Sequence, residues 1–445
     1  MLNETPHRRQ LCLSFCAVLA AVLLWRWQRI FWLECADYIR ADMVGHIALA
    51  LGRHDYSLSG LLIRALWSLF DEDRARTLLS LLLTLNQAAG VLTLWLLLRG
   101  VLPGLDGAEA LLAALLANVC GPWIFPGQTG MYLGVYNGNV WHNMTVLFSR
   151  TWIPPALLCF WRLWDARRGK LPVRGWWGFL FFLLLTTLFK PSFLGAFAPA
   201  ALALLVWDFV KTRGRGFKNE FLIGLAVLPA VGALVWSSLV LFSDDFAGTQ
   251  SSVALRALTP ALLVSTLLMY LRGLLLPLWT GALQGPKEPR RERIAILAFV
   301  NAVALAEALL LTETGFRGND GNFDWGYISL YPAVFAVAIG LLFRMLPAAK
   351  TDRRARVIRF SDRKVESDLR DGFVSGEALP AEHNGDICSR EATKHGANPA
   401  AKNSRFLLED RIGIAVGLVL LLGHLIVGVY CLSRPGNAGY DWFYF

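Results

Sequence analysis

Apolar runs of about 17–25 residues recur along almost the whole chain, each long enough to cross roughly 30 Å of hydrocarbon. No other feature limits the fold so strongly. A segment in lipid must pair its own backbone N–H and C=O groups, so only helices and closed barrels span a bilayer. These runs are continuous rather than alternating, which argues against a barrel. They fall at 11–31, 77–98, 109–126, 151–165, 175–190, 192–209, 220–242, 260–283, 294–312, 328–346 and 411–432. The fourth and fifth are short, and the eighth is open to a break at Arg272 or Pro277. The balance of residues agrees: 55% are hydrophobic and only 17% charged, where a soluble chain carries about a quarter charged. The expectation is an all-α, polytopic helical membrane protein with about 11 transmembrane helices.

The formal net charge is +10. In such a chain this bears on topology and anionic lipid before nucleic acid. The basic residues sit in separate short loops rather than one patch, so no nucleic-acid partner is expected. With the N-terminus in the cytoplasm, the inner loops include "DARRGKLPVR", "KTRGRGFKNE" and "PKEPRRER", each with four Lys or Arg. The outer loops Gly127–Arg150, Ser243–Thr259 and Glu313–Tyr327 hold one Arg each. This asymmetry fixes the orientation through the positive-inside rule. The segment Glu34–Arg76 falls outside yet carries five Arg. Its charges alternate with apolar residues, which suits amphipathic helices on the membrane surface.

Arg8 and Arg9 before the first run resemble a signal peptide, but "WRWQRIFW" stands where a small-residue cleavage site belongs. An uncleaved first span is expected. The seven cysteines include no CxxC pair and lie mostly in or beside apolar runs. They read as small buried hydrophobes rather than a disulfide frame or a zinc site. Three regions follow: a membrane domain over 1–346, a charged cytoplasmic loop over 347–410 expected to be disordered, and a last helix with an outer tail over 411–445.

The orientation sorts the unusual polar residues. Asp37, Asp42, His46, Gln128, Tyr136, Asn137, Asn139, Trp141, His142, Asn143, Lys190, Asp244, Asp245, Arg317, Asn319, Asp320, Asn322, Asp324 and Trp325 all fall outside. The inner loops hold little but basic residues. Chemistry confined to an outer face implies a substrate delivered there.

Asp42 and His46 in "DYIRADMVGHIALAL" are spaced i, i+4, which places both on one helix face. A carboxylate there can orient an imidazole or act as a general base; an ordinary amphipathic surface helix has the same spacing. The stretch "GVYNGNVWHNMT" offers amides that bond hydroxyls in both directions and flat rings that stack on sugars. An interfacial aromatic belt accounts for its Tyr136 and Trp141 but not for Asn137, Asn139, His142 and Asn143. Lys190, before Pro191, suits either a snorkelling lysine or a lipid phosphate ligand. Arg272 lies midway along its run, where an ionisable residue marks function, unless the run is two short segments. It has Glu307 as a possible partner. In "ETGFRGNDGNFDWGY" the spacing of Asp320 and Asp324 resembles a calcium loop, but the twelve-residue pattern is incomplete. There is no Walker A, no GxGxxG, no HExxH and no Ser–His–Asp pattern.

An N-terminal span, an acidic outer loop with surface helices, and about ten further spans with polar signatures outside together resemble the GT-C superfamily of integral-membrane glycosyltransferases. "GNVWHNMT", "KPSF" and "ETGFRGNDGNFDWGY" are similar to stretches of bacterial membrane proteins of that type. The resemblance implies transfer of a sugar from a polyprenyl-phosphate donor to an extracytoplasmic glycan, lipid or protein acceptor. It implies a general base in the first outer loop, here Asp42 with Asp37 as fallback. The family's frequent adjacent acidic pair is missing from this loop. His46 would orient Asp42 or the donor phosphate, and Lys190, Arg272 and Arg317 would bind that phosphate. Tyr136, Asn137, Asn139, Trp141, His142 and Asn143 would line one side of the pocket, and Asn319, Asn322, Asp324 and Trp325 the other. No cofactor is implied; a divalent metal belongs to the oligosaccharyltransferase branch, which carries a large outer C-terminal domain not seen here.

Overall fold

A computed structural model describes residues 6–36, 42–52, 57–121, 143–241, 253–256, 259–314, 323–346 and 399–433. The chain opens with α1 (Pro6–Cys35), α2 (Asp42–Leu51), α3 (Leu58–Leu69), α4 (Glu72–Val101) and α5 (Gly107–Ala117). It continues through α6 (Met144–Ala166), α7 (Val173–Phe189), α8 (Ser192–Thr212), α9 (Phe217–Leu225) and α10 (Leu228–Leu241). A two-stranded ribbon, three residues to a strand, pairs β1 (Val253–Leu255) antiparallel with β2 (Leu311–Glu313), Ala254 opposite Thr312. Between these strands run α11 (Pro260–Gly273), α12 (Leu275–Gln284) and α13 (Arg291–Leu310). The last two helices are α14 (Asp324–Leu346) and α15 (Pro399–Ser433).

Among the described residues, seven helical segments are long and apolar enough to cross a membrane: Arg9–Cys35, Glu72–Val101, Ser192–Thr212, Phe217–Ser237, Arg291–Leu310, Asp324–Leu346 and Arg411–Val429. Their outward faces support this assignment. Val419, Leu422, Ile426 and Val429 form an exposed apolar stripe on α15, and Val18, Val22 and Trp25 form one on α1. Apolar stripes of this kind, repeated on several helices, belong against lipid rather than water. The chain is an all-α membrane protein with a small β ribbon.

Capping explains where many helices start. Asp71 accepts from the Arg74 N–H at 3.0 Å, Asp106 from Ala108 at 2.7 Å and Asn143 from Val146 at 3.2 Å. Proline explains the interruptions. The expected span over 260–283 is two helices parted at Leu274. Pro277 has no N–H for the carbonyl four residues back, at Gly273. That carbonyl instead accepts the Tyr331 hydroxyl at 3.1 Å. Pro155 leaves the Thr151 carbonyl open in the same way, and the Thr93 hydroxyl takes it at 2.9 Å. The expected span over 220–242 is also divided, into α9 and α10. The short fourth and fifth runs become helices of 23 and 17 residues. α15 starts at Pro399, inside the stretch assigned from sequence to the charged loop.

Residues 1–341 with 419–445 form one compact unit and Leu342–Leu418 a second. In the second, a Cβ on Gly417 would crowd Leu342. The larger unit has two polar ends. At one, the three basic loops converge. Arg167 and Arg168 both reach Asp208, at 3.0 and 2.8 Å. Arg167 also meets Glu292, Arg293 pairs with Asp165, and Asn219 donates to the Arg167 carbonyl. Arg290 and Arg293 donate to the Gly100 carbonyl, satisfying the C-terminal end of α4. α8 and α13 both leave this end and carry their opposite termini to the other.

Candidate functional site

The second polar end is built from the start of α8, the start of α14, the end of α13 and the ribbon. Lys190 stands there because Pro191 follows it. A residue before proline is driven out of the helical region, and Lys190 is extended at φ −157°, ψ 122°, ending α7. Its ammonium lies 4.9 Å from the centroid of the Trp325 ring, within cation–π range. Its carbonyl accepts from Ser149 on α6 at 3.5 Å. Asp324 opens α14, where a carboxylate favours the positive end of the helix dipole.

Arg256 approaches Asp324 at 3.9 Å. The ribbon holds Arg256 in place: its N–H donates to the Leu310 carbonyl at 2.7 Å and its guanidinium to Leu311 at 3.4 Å. Glu307 sits one turn before the end of α13, in the seam between α8 and α14. Two glycines make room for it. A Cβ on Gly195 would lie 3.2 Å from Glu307 Oε1, and one on Gly326 would lie 2.9 Å from the Ser192 carbonyl and 3.6 Å from Glu307 Oε2. Two cations, two carboxylates and an indole thus share one end of the bundle. Such a set can bind an anion, stack a ring and exchange hydroxyl hydrogen bonds.

Among the residues marked from sequence, the structure brings together Lys190, Asp324 and Trp325. Asn143 is buried, and its Oδ1 caps α6 and accepts from the Thr145 hydroxyl at 2.7 Å. That oxygen is engaged in folding the helix. His46 lies on α2 one turn after Asp42, half-buried; α2 and α3 are the two short helices expected in this loop. Arg272 lies in α11, two residues before the break at Leu274. Asp37, Gln128, Tyr136, Asn137, Asn139, Trp141, His142, Asp244, Asp245, Arg317, Asn319, Asp320 and Asn322 lie outside the described residues.

Sequence reasoning passed over Arg256 and gave Glu307 only as a partner for Arg272. A lone Arg in a loop and a lone Glu in an apolar run carry no spacing pattern. Glu307 had one usable signal, its position inside a predicted span. The Asp208–Arg167–Arg168 cluster was hidden because the loops read as free basic segments. Among the described residues no group of three or more His, Cys, Asp or Glu side chains has the arrangement to hold a metal ion.

No known protein family, curated protein or solved structure matches the chain. The class that the fold defines is that of all-α, membrane-embedded proteins with a mixed-charge, aromatic cluster at one end of the helices.

Proposed function

We propose that the protein is a GT-C-like glycosyltransferase of a cell's inner (plasma) membrane, with about 11 crossings, a cytoplasmic N-terminus and an extracytoplasmic site. The single observation that carries this reading is the meeting of Lys190 with Trp325, two residues from stretches marked separately by sequence. An ammonium beside an indole suits a phosphate joined to a sugar ring.

In this reading the acceptor hydroxyl attacks the anomeric carbon of a polyprenyl-phosphate sugar. Its proton passes to Asp42 as the new C–O bond forms. The bond from that carbon to the phosphate oxygen breaks, and the polyprenyl phosphate leaves with its electron pair. His46 orients Asp42. Lys190, with Arg272 and Arg317, neutralises the leaving phosphate, where a preorganised cation acts most strongly. Asp324 and Trp325 form one wall with Asn319 and Asn322. Tyr136, Asn137, Asn139, Trp141 and His142 are assigned to the facing wall from their residue types alone.

The test is transfer of a labelled sugar from a polyprenyl-phosphate donor by purified protein. Asp42→Asn is expected to abolish turnover, and transfer at the parent rate would sink the assignment of the base. A second reading, a transporter of lipid-linked glycans, has one observation in its favour: the broken helix at Leu274, a device of substrate pathways. Movement of labelled lipid-linked sugar across liposomes without transfer would select it.

A further inference from the structure

The three basic loops, at the end opposite Lys190, use their cations differently. Arg167, Arg168 and Arg293 pair with carboxylates, and Arg290 donates to the Gly100 carbonyl. The turn from α8 to α9, "KTRGRGFKNE", does neither. Its Lys211, Arg213, Arg215 and Lys218 are all exposed, and among the described residues no carboxylate or other side-chain partner meets any of them. The α8 dipole favours a cation at this end, but it does not call for four.

The backbone is unusual at the same place. Arg213 has φ 53° and ψ 43°, and it is the one non-glycine residue with positive φ among the described residues. It closes α8 as a Schellman cap: the Gly214 N–H donates to the Phe209 carbonyl at 2.9 Å, and the Arg213 N–H to Val210 at 3.2 Å. That position ordinarily takes glycine, because a Cβ strains the left-handed conformation. Here arginine holds it, and the glycine follows at φ 77°. A strained residue that glycine would relieve points to a use for its side chain.

Beside the cations is an apolar face. The rings of Phe209 and Phe217 lie 5.7 Å apart by centroids, and those of Phe217 and Phe221 6.0 Å apart. All three are exposed, as are Trp207 and Val210. Gly214 ties the turn to them, since a Cβ there would fall 3.2 Å from Phe209 Cε2. On α8 the change from exposed apolar to exposed basic falls between Val210 and Lys211. Such a step matches the passage from acyl chains to a headgroup layer. A soluble polyanion would use the charges and leave the rings unexplained.

We infer that the α8–α9 turn binds an anionic phospholipid of the adjoining leaflet. Lys211, Arg213, Arg215 and Lys218 hold its phosphate, to which guanidinium groups give paired hydrogen bonds as well as charge. An acyl chain lies along Phe209, Phe217 and Phe221. The site stands without the transfer reading, because it is tested by lipid binding alone.

The experiment titrates the purified full chain in detergent with phosphatidylglycerol or phosphatidylcholine and follows the unfolding midpoint. Phosphatidylglycerol is expected to bind about tenfold or more tightly than phosphatidylcholine. Arg213→Gly removes strain and charge together. Without lipid its midpoint should not fall, while its affinity for phosphatidylglycerol should drop about fivefold. The double variant Arg213→Gln, Arg215→Gln should lose about tenfold or more. Arg291→Gln, at an exposed position of the third basic loop, should bind as the parent does. Equal affinity for the two lipids, or a preference unchanged in Arg213→Gly and in the double variant, overturns the inference. An equal loss in Arg291→Gln also overturns it, since the effect would then be one of overall charge. Heparin serves as the soluble polyanion. If it raises the midpoint of the parent but not of the double variant, with neither lipid preferred, the turn belongs to a soluble partner and the lipid is excluded.

Discussion

Lys190 Nζ stands 4.9 Å from the centroid of the Trp325 ring, joining the α7–α8 corner to the start of α14. One residue is placed by the proline behind it and the other by the helix that begins at Asp324. The contact itself contributes about 0.5–1 kcal/mol at a partly exposed site. Lys190→Ala should therefore leave thermal stability nearly unchanged. If the ammonium also neutralises a leaving phosphate, the same change should lower sugar transfer by about 10²–10³-fold. Parallel measurement of unfolding midpoint and turnover separates the two effects, and parent-level turnover would remove Lys190 from the site.

The seam around Glu307 depends on two absent side chains. In Gly326→Ala the new Cβ would fall 2.9 Å from a backbone carbonyl, at Ser192, which cannot swing aside. The expected cost is about 1–3 kcal/mol from overpacking. Gly224→Ala is the control, because nothing lies within 4 Å of a Cβ there. It should be neutral or slightly stabilising through helix propensity. Unfolding midpoints of the two variants, measured side by side, check the difference.

At the basic end, Asp208 holds two guanidinium groups while only 4% exposed, and Arg167 is 11% exposed. Asp208→Asn takes the nearest carboxylate from Arg167, which has little access to water and keeps only Glu292, and from Arg168, which is 57% exposed. A loss of about 3–5 kcal/mol is expected, as for other buried pairs broken on one side. The pair Arg74–Asp71, 77% and 57% exposed, offers the contrast. Arg74→Ala should change stability by no more than about 1 kcal/mol. Equal effects at the two sites would contradict the assignment of the cluster as the clamp on these loops.

The orientation can be read directly with a membrane-impermeant thiol reagent. Val253, on the ribbon, and Lys287, in the third basic loop, are both exposed and lie in segments assigned to opposite sides. Val253→Cys should be labelled in intact cells. Lys287→Cys should be labelled only after permeabilisation. The reverse pattern would invert the topology and move the Lys190 cluster into the cytoplasm.

Much of this architecture was legible because lipid imposes a length and a composition. Each of the eleven expected runs contains a helix, and Pro191 and Pro277 announced a corner and a break. The site was legible only in part. Lys190 and Trp325 stood out as polar or aromatic residues at the ends of apolar runs. Their meeting did not, since no spacing rule links positions so far apart. Arg150 on α6 was passed over for a related reason: the amide oxygens of Gln87 and Asn118, which accept from it at 2.8 and 3.3 Å, lie 63 and 32 residues away in the chain. Charge patterning finds ion pairs within a helix, not amides gathered from three elements.

The proline interruptions give the last prediction. A helix carbonyl freed by proline must find a donor when water is absent. Tyr331 supplies it to Gly273 at 3.1 Å, and Thr93 supplies it to Thr151 at 2.9 Å. Tyr331→Phe keeps the ring and its stacking on Phe335 but removes the hydroxyl. Thr93→Val keeps the shape and removes the same group. Each should cost about 1–3 kcal/mol, the range for leaving one buried acceptor unpaired. The decisive experiment adds a second change to each. With Pro277→Ala the backbone N–H returns to Gly273, so Tyr331→Phe should cost less in that background than alone. Pro155→Ala should relieve Thr93→Val in the same way. Additive losses in both cycles would mean that the hydroxyls serve some other contact and that proline alone does not shape these helices.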